Sequence, residues 1–276
     1  MNSNFHLPLC CPVCAEPLQQ DKRTFRCSSN HCFDTAKEGY LNLLLSHQRR
    51  SADPGDGKMM IQARRRFFES GAYNPLIGLI HQNTSFGTIL DAGCGEGALS
   101  GNLPGTVIGM DISKEAVRAA AKRYKPATWI VANTMRPLPF ADQSFDTILS
   151  VLAPRNIDEF ARILKSDGQL LIGVPGPNHL IELRSQLNIG TAGFEEKADE
   201  AAGKCAPQFK ETDRTPLTYQ MQLNRQQIND LIQMTPIFWN SGPEAKEHIG
   251  QLNELNITVS FVLLTLRQSD PGQTGL

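Results

Sequence analysis

A doubly wound α/β fold with a mostly parallel sheet is predicted for this chain by three observations. Short apolar runs alternate with amphipathic stretches through residues 88 to 174. One run, Ile89-Leu90-Asp91, ends at a carboxylate and leads into glycines at alternate positions, Gly93, Gly95 and Gly97. Another, Val107-Ile108-Gly109-Met110, ends at Asp111. Strands buried on both faces read as continuous apolar runs, and alternation with helices makes the sheet parallel. Ligands of such sheets lie at the carboxyl ends of the strands.

The front of the chain is different. Five of the seven cysteines fall within the first 32 residues, and so compact a cluster in a reducing compartment points to metal rather than to disulfides. Cys11-Pro12-Val13-Cys14, then Cys27 and His31, form C-x2-C-x12-C-x3-H. Two thiolates two residues apart sit on one tight turn and offer both sulfurs to a tetrahedral ion. Cys11, Cys14, Cys27 and His31 are therefore the expected ligands of a structural Zn2+, with Cys32 a competing fourth ligand and Cys10 an alternative to Cys11. Four protein ligands leave no open position for chemistry.

The elements follow in order. Ser51 to Gly57 is dense in turn formers and reads as loop; Lys58 to Ser70 reads as a basic helix that Gly71 ends at C′. Thr88 to Asp91 is the first strand and the run ending at Asp111 the second. Lys114 to Tyr124 is an Ala-rich helix capped by Ser113, and Thr128 to Ala132 and Phe145 to Val151 are the next strands. Ile157 to Leu164 reads as a helix and Gln169 to Val174 as the fifth strand. Beyond it, Leu217 to Leu223 and Ile257 to Leu266 alternate like antiparallel strands, with a helix near Arg225 to Met234 between them. This organisation divides the chain into 1–36, a zinc-binding unit; 37–72, a linker and basic helix; and 73–276, the α/β domain.

The glycine spacing selects the cofactor. A dinucleotide site uses G-x-G-x-x-G to seat a pyrophosphate on a helix N-terminus. Here the order is G-x-G-x-G with Glu96 inside the loop, and an acidic loop repels phosphate. It suits S-adenosylmethionine, which has a cationic sulfonium and ammonium and no phosphate. Asp91, Gly93, Gly95, Glu96 and Gly97 would line it, and Asp111 would accept the ribose hydroxyls. Asn133 and Thr134 follow the third strand where an adenine edge can be read. Pro175-Gly176-Pro177-Asn178-His179 follows the fifth strand and is expected to cap the pocket. Cys94 is a small residue that fits the loop.

At 276 residues, 40 % hydrophobic and 20 % charged, the chain can bury a full α/β core. No apolar run approaches the length of a bilayer span, and Met1 to His6 lacks the regions of a signal peptide, so a cytoplasmic protein is expected. Net charge is −1, yet residues 1 to 75 hold ten Lys/Arg against seven Asp/Glu. Five of those ten are Arg49, Arg50, Arg64, Arg65 and Arg66, candidate phosphate contacts for a nucleic acid.

Taken in order, these motifs resemble those of the bacterial 23S rRNA guanine-N1 methyltransferases, which modify one guanine in helix 35. The resemblance runs nearly end to end. It rests on the cysteine pattern, Phe33-Asp34-x-Ala36-Lys37-Glu38-Gly39-Tyr40, Asp53-Pro54-Gly55-Asp56, Met59-Met60-x-Gln62-Ala63-Arg64-Arg65 and the glycine loop. It continues through Ala153-Pro154, Pro175-Gly176-Pro177-x-His179 and Met234-Thr235-Pro236. Ser166-Asp167-Gly168 stands where the family has a Pro-Gly-Gly turn. The resemblance implies a seven-stranded S-adenosylmethionine-dependent fold, a zinc element that helps hold a 23S rRNA hairpin, and a homodimer. It also implies that Tyr73, Gly95, Glu96 and His179 contact the cofactor. No residue stands out as the acceptor of the guanine N1 proton: Asp158 and Glu159 read as carboxylates of a helix surface. The competing readings are a methyltransferase for another RNA, a small molecule or a protein, and a non-enzymatic cofactor-binding regulator.

Overall fold

A computed structural model describes residues 8–48, 57–187, 196–235 and 242–269. The front holds three short strands, β1 (Gln19–Asp21), β2 (Thr24–Arg26) and β3 (Cys32–Asp34), joined antiparallel in the order β1-β2-β3. After them come β4 (Tyr40–Asn42), α1 (Lys58–Glu69) and α2 (Asn74–Asn83). The alternating region supplies β5 (Thr88–Ala92), β6 (Thr106–Asp111), α3 (Lys114–Arg123), β7 (Thr128–Val131), β8 (Phe145–Val151), α4 (Ile157–Ile163) and β9 (Leu164–Pro175). The remainder is α5 (Ile181–Gln186), α6 (Lys197–Cys205), β10 (Phe209–Asn224), α7 (Arg225–Met234), α8 (Pro243–Gly250) and β11 (Glu254–Gln268).

The main sheet has eight strands in the order β10-β11-β9-β8-β5-β6-β7-β4, one more than the resemblance implies. It is mixed: the pairs around β5 to β8 are parallel, and the β10–β11 pair is antiparallel. The additional strand is β4, which comes from the front of the chain and pairs parallel to β7, Tyr40 opposite Trp129 and Leu41 opposite Ile130. Tyr40 and Leu41 are buried there, so the strand covers an edge that would otherwise offer unpaired backbone groups.

By its internal contacts the chain divides into two compact units, Met1–Gly55 with Ser85–Leu170 and Asp56–Thr84 with Leu171–Leu276. In the first, the inner strands are mainly apolar, with Asp91, Thr147 and Ser150 also buried, and Ile89, Leu90, Ile108, Met110, Ile130, Ile148 and Leu149 are fully buried. Helix α3 starts where Ser113 Oγ accepts from the Ala116 amide at 3.3 Å. Its inner face, Ala116, Val117, Ala120 and Ala121, packs in a cluster with Tyr40, Leu44, Tyr124 and Trp129. The zinc-binding segment belongs to this unit as well: the Cys10 amide donates to the Pro139 carbonyl and the Ala141 amide to that of Pro8.

In the second unit, α1 buries Ile61, Ala63 and Phe67 and ends as its sequence suggests, Gly71 taking φ +82° just past the Ser70 cap. Helix α7 begins with a capping box between Asn224 and Gln227. Strands β10 and β11 pair over fifteen positions, from Phe209–Gln268 to Asn224–Glu254. Strand β9 starts at Leu164, five residues before the expected Gln169, because Lys165 to Gly168 extends into the sheet instead of turning. Among the described residues no helix is long and apolar enough to cross a membrane.

Candidate functional site

The front of the chain brings four ligand atoms together. The Cys14 and Cys27 sulfurs lie 3.6 Å apart, and His31 Nδ1 lies 3.6 Å from Cys11 Sγ and 3.4 Å from Cys27 Sγ. All four atoms fall within 4.8 Å of one another. Two tight turns create this cluster. The Ala15 amide donates back to the Cys11 carbonyl and the Asn30 amide to that of Cys27, with Ala15 and Asn30 both in left-handed backbone. The Glu16 backbone amide holds the Cys14 thiol down to about 6, a thiolate suited to metal. The two alternatives lie outside the group: Cys32 is exposed with its thiol on the Asn30 carbonyl, and Cys10 is only half-buried.

Strand β5 ends in the glycine loop. The register Asp91–Leu149 and Asp91–Gly109 places this turn level with the ends of β8 and β6. Gly93, Gly95 and Gly97 all adopt positive φ, at 91°, 54° and 79°. Two of them also face close packing. A Cβ on Gly93 would collide with Cβ of Ala153, and one on Gly97 with the ring of Trp129. Trp129 is itself pinned by its Nε1, which donates to the Tyr124 carbonyl at 2.9 Å.

Three carboxylates surround the loop. Asp91 is 2 % exposed, its Oδ2 meets no hydrogen-bond donor among the described residues, and burial pushes its pKa up to about 7. Glu96 is buried. Asp111 shapes the turn: Oδ2 accepts the Gly95 amide at 2.9 Å and Oδ1 the Ser113 amide at 2.8 Å. Buried carboxylates gathered in this way would favour a cation over a phosphate.

The other expected contacts divide between the units. Thr134 is buried beside the loop after β7, and Asn133 spends its side chain on the chain itself. Its Oδ1 accepts the Met135 amide and its Nδ2 donates to the Gln48 carbonyl. Tyr73 and His179 belong to the second unit, where both pack on Phe261, with ring centroids 5.6 Å and 4.4 Å away. Burial lowers the His179 pKa to about 4, so the ring is neutral near pH 7. Because Nδ1 accepts the Ser260 amide at 3.3 Å, the ring proton resides on Nε2.

The basic residues are less alike than their sequence suggests. Arg49 and Arg50 lie outside the described residues. Arg65 pairs with Glu69 one turn away on an exposed face, and Arg64 is half-buried. Arg66 joins α1 to α7: its Nε donates to Asp230 Oδ1 at 2.9 Å, and Gln226 holds the other oxygen. The Asp230 side chain is 3 % exposed and that of Arg66 46 %, so solvent screens one side of the pair. Arg66→Ala is expected to lower stability by about 1–2 kcal/mol, since a buried carboxylate loses its cation. Arg65→Ala is expected to cost no more than about 0.5 kcal/mol. Denaturant titration of the two variants checks the contrast, and equal losses would remove the special role of Asp230.

Sequence spacing gave no sign of Trp129 beneath the loop, of Asp230 as partner to Arg66, or of Ser100, buried next to Asp91. The apolar residues Tyr40, Leu41, Leu43 and Leu44 around Asn42 were the available signal for β4. Glu159 is engaged at both oxygens, by the Leu138 amide and the Arg162 guanidinium, as expected of a structural carboxylate.

Comparison with known proteins places these two sites in one context. The zinc-ribbon family described as "RlmA, N-terminal" matches residues 9–52, and a general methyltransferase domain matches residues 90–172. A Streptomyces fradiae protein named 23S rRNA (guanine(748)-N(1))-methyltransferase is 32 % identical over 279 residues, covering 95 % of this chain and 98 % of its own. Two others bear the unnumbered form of that name provisionally. That from Micromonospora griseorubida is 32 % identical, covering 84 % of this chain and 87 % of its own. That from Bacillus subtilis is 31 % identical, covering 92 % and 95 %.

Proposed function

This chain belongs to the bacterial 23S rRNA (guanine-N1-)-methyltransferase family, and on that premise we propose that the guanine it modifies lies in the helix 35 hairpin. The chain is an S-adenosylmethionine-dependent enzyme that methylates a 23S rRNA guanine at N1 and carries a structural zinc. The observation that carries this reading is the order of the two sites. A Cys3His cluster stands ahead of an acidic glycine loop in a chain related to these enzymes almost from end to end.

The residues present fit both groups. Three sulfurs and one imidazole suit zinc, and Cys11, Cys14, Cys27 and His31 would hold it. The unsatisfied Oδ2 of Asp91, deep in the loop, suits the ammonium of S-adenosylmethionine. Asp91, Gly93, Gly95, Glu96, Gly97, Asp111, Asn133 and Thr134 would form its cradle, with Tyr73 and His179 as further contacts. Strands β5 to β11 supply the seven strands of the methyltransferase sheet, and β4 is added from the linker. Residues 73–276 then form the catalytic domain. A homodimer in the cytoplasm, with Arg49, Arg50, Arg64 and Arg65 on RNA phosphates, completes the reading.

When bound, S-adenosylmethionine supplies an electrophilic methyl group on its sulfonium. The chain's own work is to align guanine N1 with that methyl and to keep water out. Neutral guanine carries a proton on N1, and the base reaches the loop only when unstacked. The edge after β8 offers backbone carbonyls, at Ala153 and Pro154, to orient that proton. Glu159 is ill suited to take it: although burial opposes this, hydrogen bonds from Arg162 and the Leu138 amide hold its carboxyl below the ordinary pKa. Reverse transcription of rRNA tests the assignment, because a methyl at N1 blocks copying. A stop in helix 35 that disappears from a strain lacking this chain is expected, and a stop that persists would overturn it.

Asp91 makes a pH prediction. Its folded-state pKa is raised, so the site without ligand is about half protonated near pH 7. A cationic ligand favours the carboxylate, and binding therefore releases roughly half a proton at that pH. Calorimetry in two buffers of different ionisation enthalpy reads this release. Identical heats would show that Asp91 does not face the cation.

A further inference from the structure

Two loops at the carboxyl ends of the parallel strands share an unusual composition. After β7, Met135 is 55 % exposed and Arg136 follows it; after β8, Leu152 is 56 % exposed and Arg155 lies three residues on. Neither arginine side chain makes a hydrogen bond or an ion pair among the described residues. The loops are tied into one structure. Asn156 Nδ2 donates to the Arg136 carbonyl at 3.3 Å, and Arg162 Nη2 donates to the Leu138 carbonyl at 3.1 Å. Ala153, adjoining Leu152, already fills the space against Gly93, so this edge borders the glycine loop directly.

Leu152 is the telling residue. Its φ is +54°, a left-handed backbone that a glycine adopts freely and a leucine resists. Because the side chain is largely exposed, little packing offsets that strain. An apolar group held in strained backbone at a ligand edge suits contact with a ligand. The ligand must be flat, since the site has to leave the N1 edge of a base free, and it must be anionic nearby, since two guanidiniums await partners. An aliphatic side chain holds a purine by its face and offers no hydrogen bond that competes at N1 or O6.

We propose that Leu152 and Met135 grip the faces of the unstacked guanine, and that Arg136 and Arg155 hold the phosphates flanking it. This inference rests on the reading of the chain as a 23S rRNA guanine methyltransferase. It adds a second set of RNA contacts, distinct from the basic helix.

Leu152→Gly is the decisive variant, because glycine favours this backbone and the fold should not suffer. Unmethylated 23S rRNA from a strain lacking the chain serves as substrate, and three quantities are measured: melting temperature, cofactor affinity and methyl transfer at saturating RNA. Unchanged or higher melting temperature and unchanged affinity are expected, with transfer slowed roughly 10- to 100-fold by the lost apolar contact. The Arg136→Gln, Arg155→Gln double variant should instead raise the KM for RNA and reduce the salt slope of RNA binding by about two. Transfer by Leu152→Gly within twofold of the parent overturns the proposal while leaving the family reading intact. A parent protein that leaves the rRNA unmethylated overturns both.

Discussion

Cys27→Ser protein is expected to leave purification without zinc and with residues 8 to 36 unfolded. The described segment there buries only three large aliphatic or aromatic side chains, Leu9, Leu18 and Phe25. Their burial supplies at most roughly 6–9 kcal/mol, less than ordering a segment of that length costs. Metal supplies a large share of what is missing, since zinc binding to comparable small elements is worth about 10–16 kcal/mol. The damage should spread, because Cys10 and Pro8 hydrogen-bond the Pro139 to Ala141 loop that leads into β8. Metal content by mass spectrometry, limited proteolysis and the melting temperature read the three consequences. Cys32→Ser should keep its zinc, as that thiol points to the Asn30 carbonyl. If Cys27→Ser retained one zinc per chain and resisted protease, the cluster would not be the metal site.

Gly97→Ala carries the next largest effect. The residue sits at φ +79°, and the new Cβ meets the ring of Trp129, which is 1 % exposed and cannot swing away. Left-handed backbone costs about 1–2 kcal/mol for a residue with a Cβ, and overpacking adds about 1–3 kcal/mol. The loop must shift to relieve the clash. A displacement near 1 Å at an aligned reaction centre lowers kcat/KM about 100-fold. Gly203→Ala is the control, since that glycine lies exposed in α6 with nothing within 4 Å of the methyl the substitution would add. It should be neutral or stabilising by up to about 1 kcal/mol. Equal activity for Gly97→Ala and the parent would show that the loop tolerates a wider turn than its packing implies.

Local rules reached some parts of this molecule and missed others for identifiable reasons. The bounds of α7 and the Ser113 cap of α3 were legible because capping chemistry is confined to a few neighbouring residues. The strands β5 and β8 were legible because burial on both faces gives each a short apolar run, Ile89-Leu90 and Ile148-Leu149. Strand β4 was read as linker: three residues carry too little periodicity, and its partner lies some ninety positions away at Trp129. The early start of β9 escaped because Ser166-Asp167-Gly168 has turn composition, which sheet pairing overrode. In the site, residue types and spacing indicated an acidic glycine loop and a thiol-rich cluster. They could not separate Cys10 from Cys11, or Cys32 from His31, since those pairs differ by one position in sequence and only the folded turns bring Cys11 and His31 into the cluster. Arg66 looked like its neighbours until Asp230, 164 residues away, claimed it.

Strand β4 bears on how such enzymes can diversify. The front segment does not stop at its zinc; it contributes the outermost strand beside β7, with Tyr40 and Leu41 packed inside. Recombination that exchanged the segment between relatives would have to carry a matching sheet margin, or leave β7 bare and prone to sticking to its own kind. The front segment and the sheet of this chain are thereby interdependent rather than exchangeable parts.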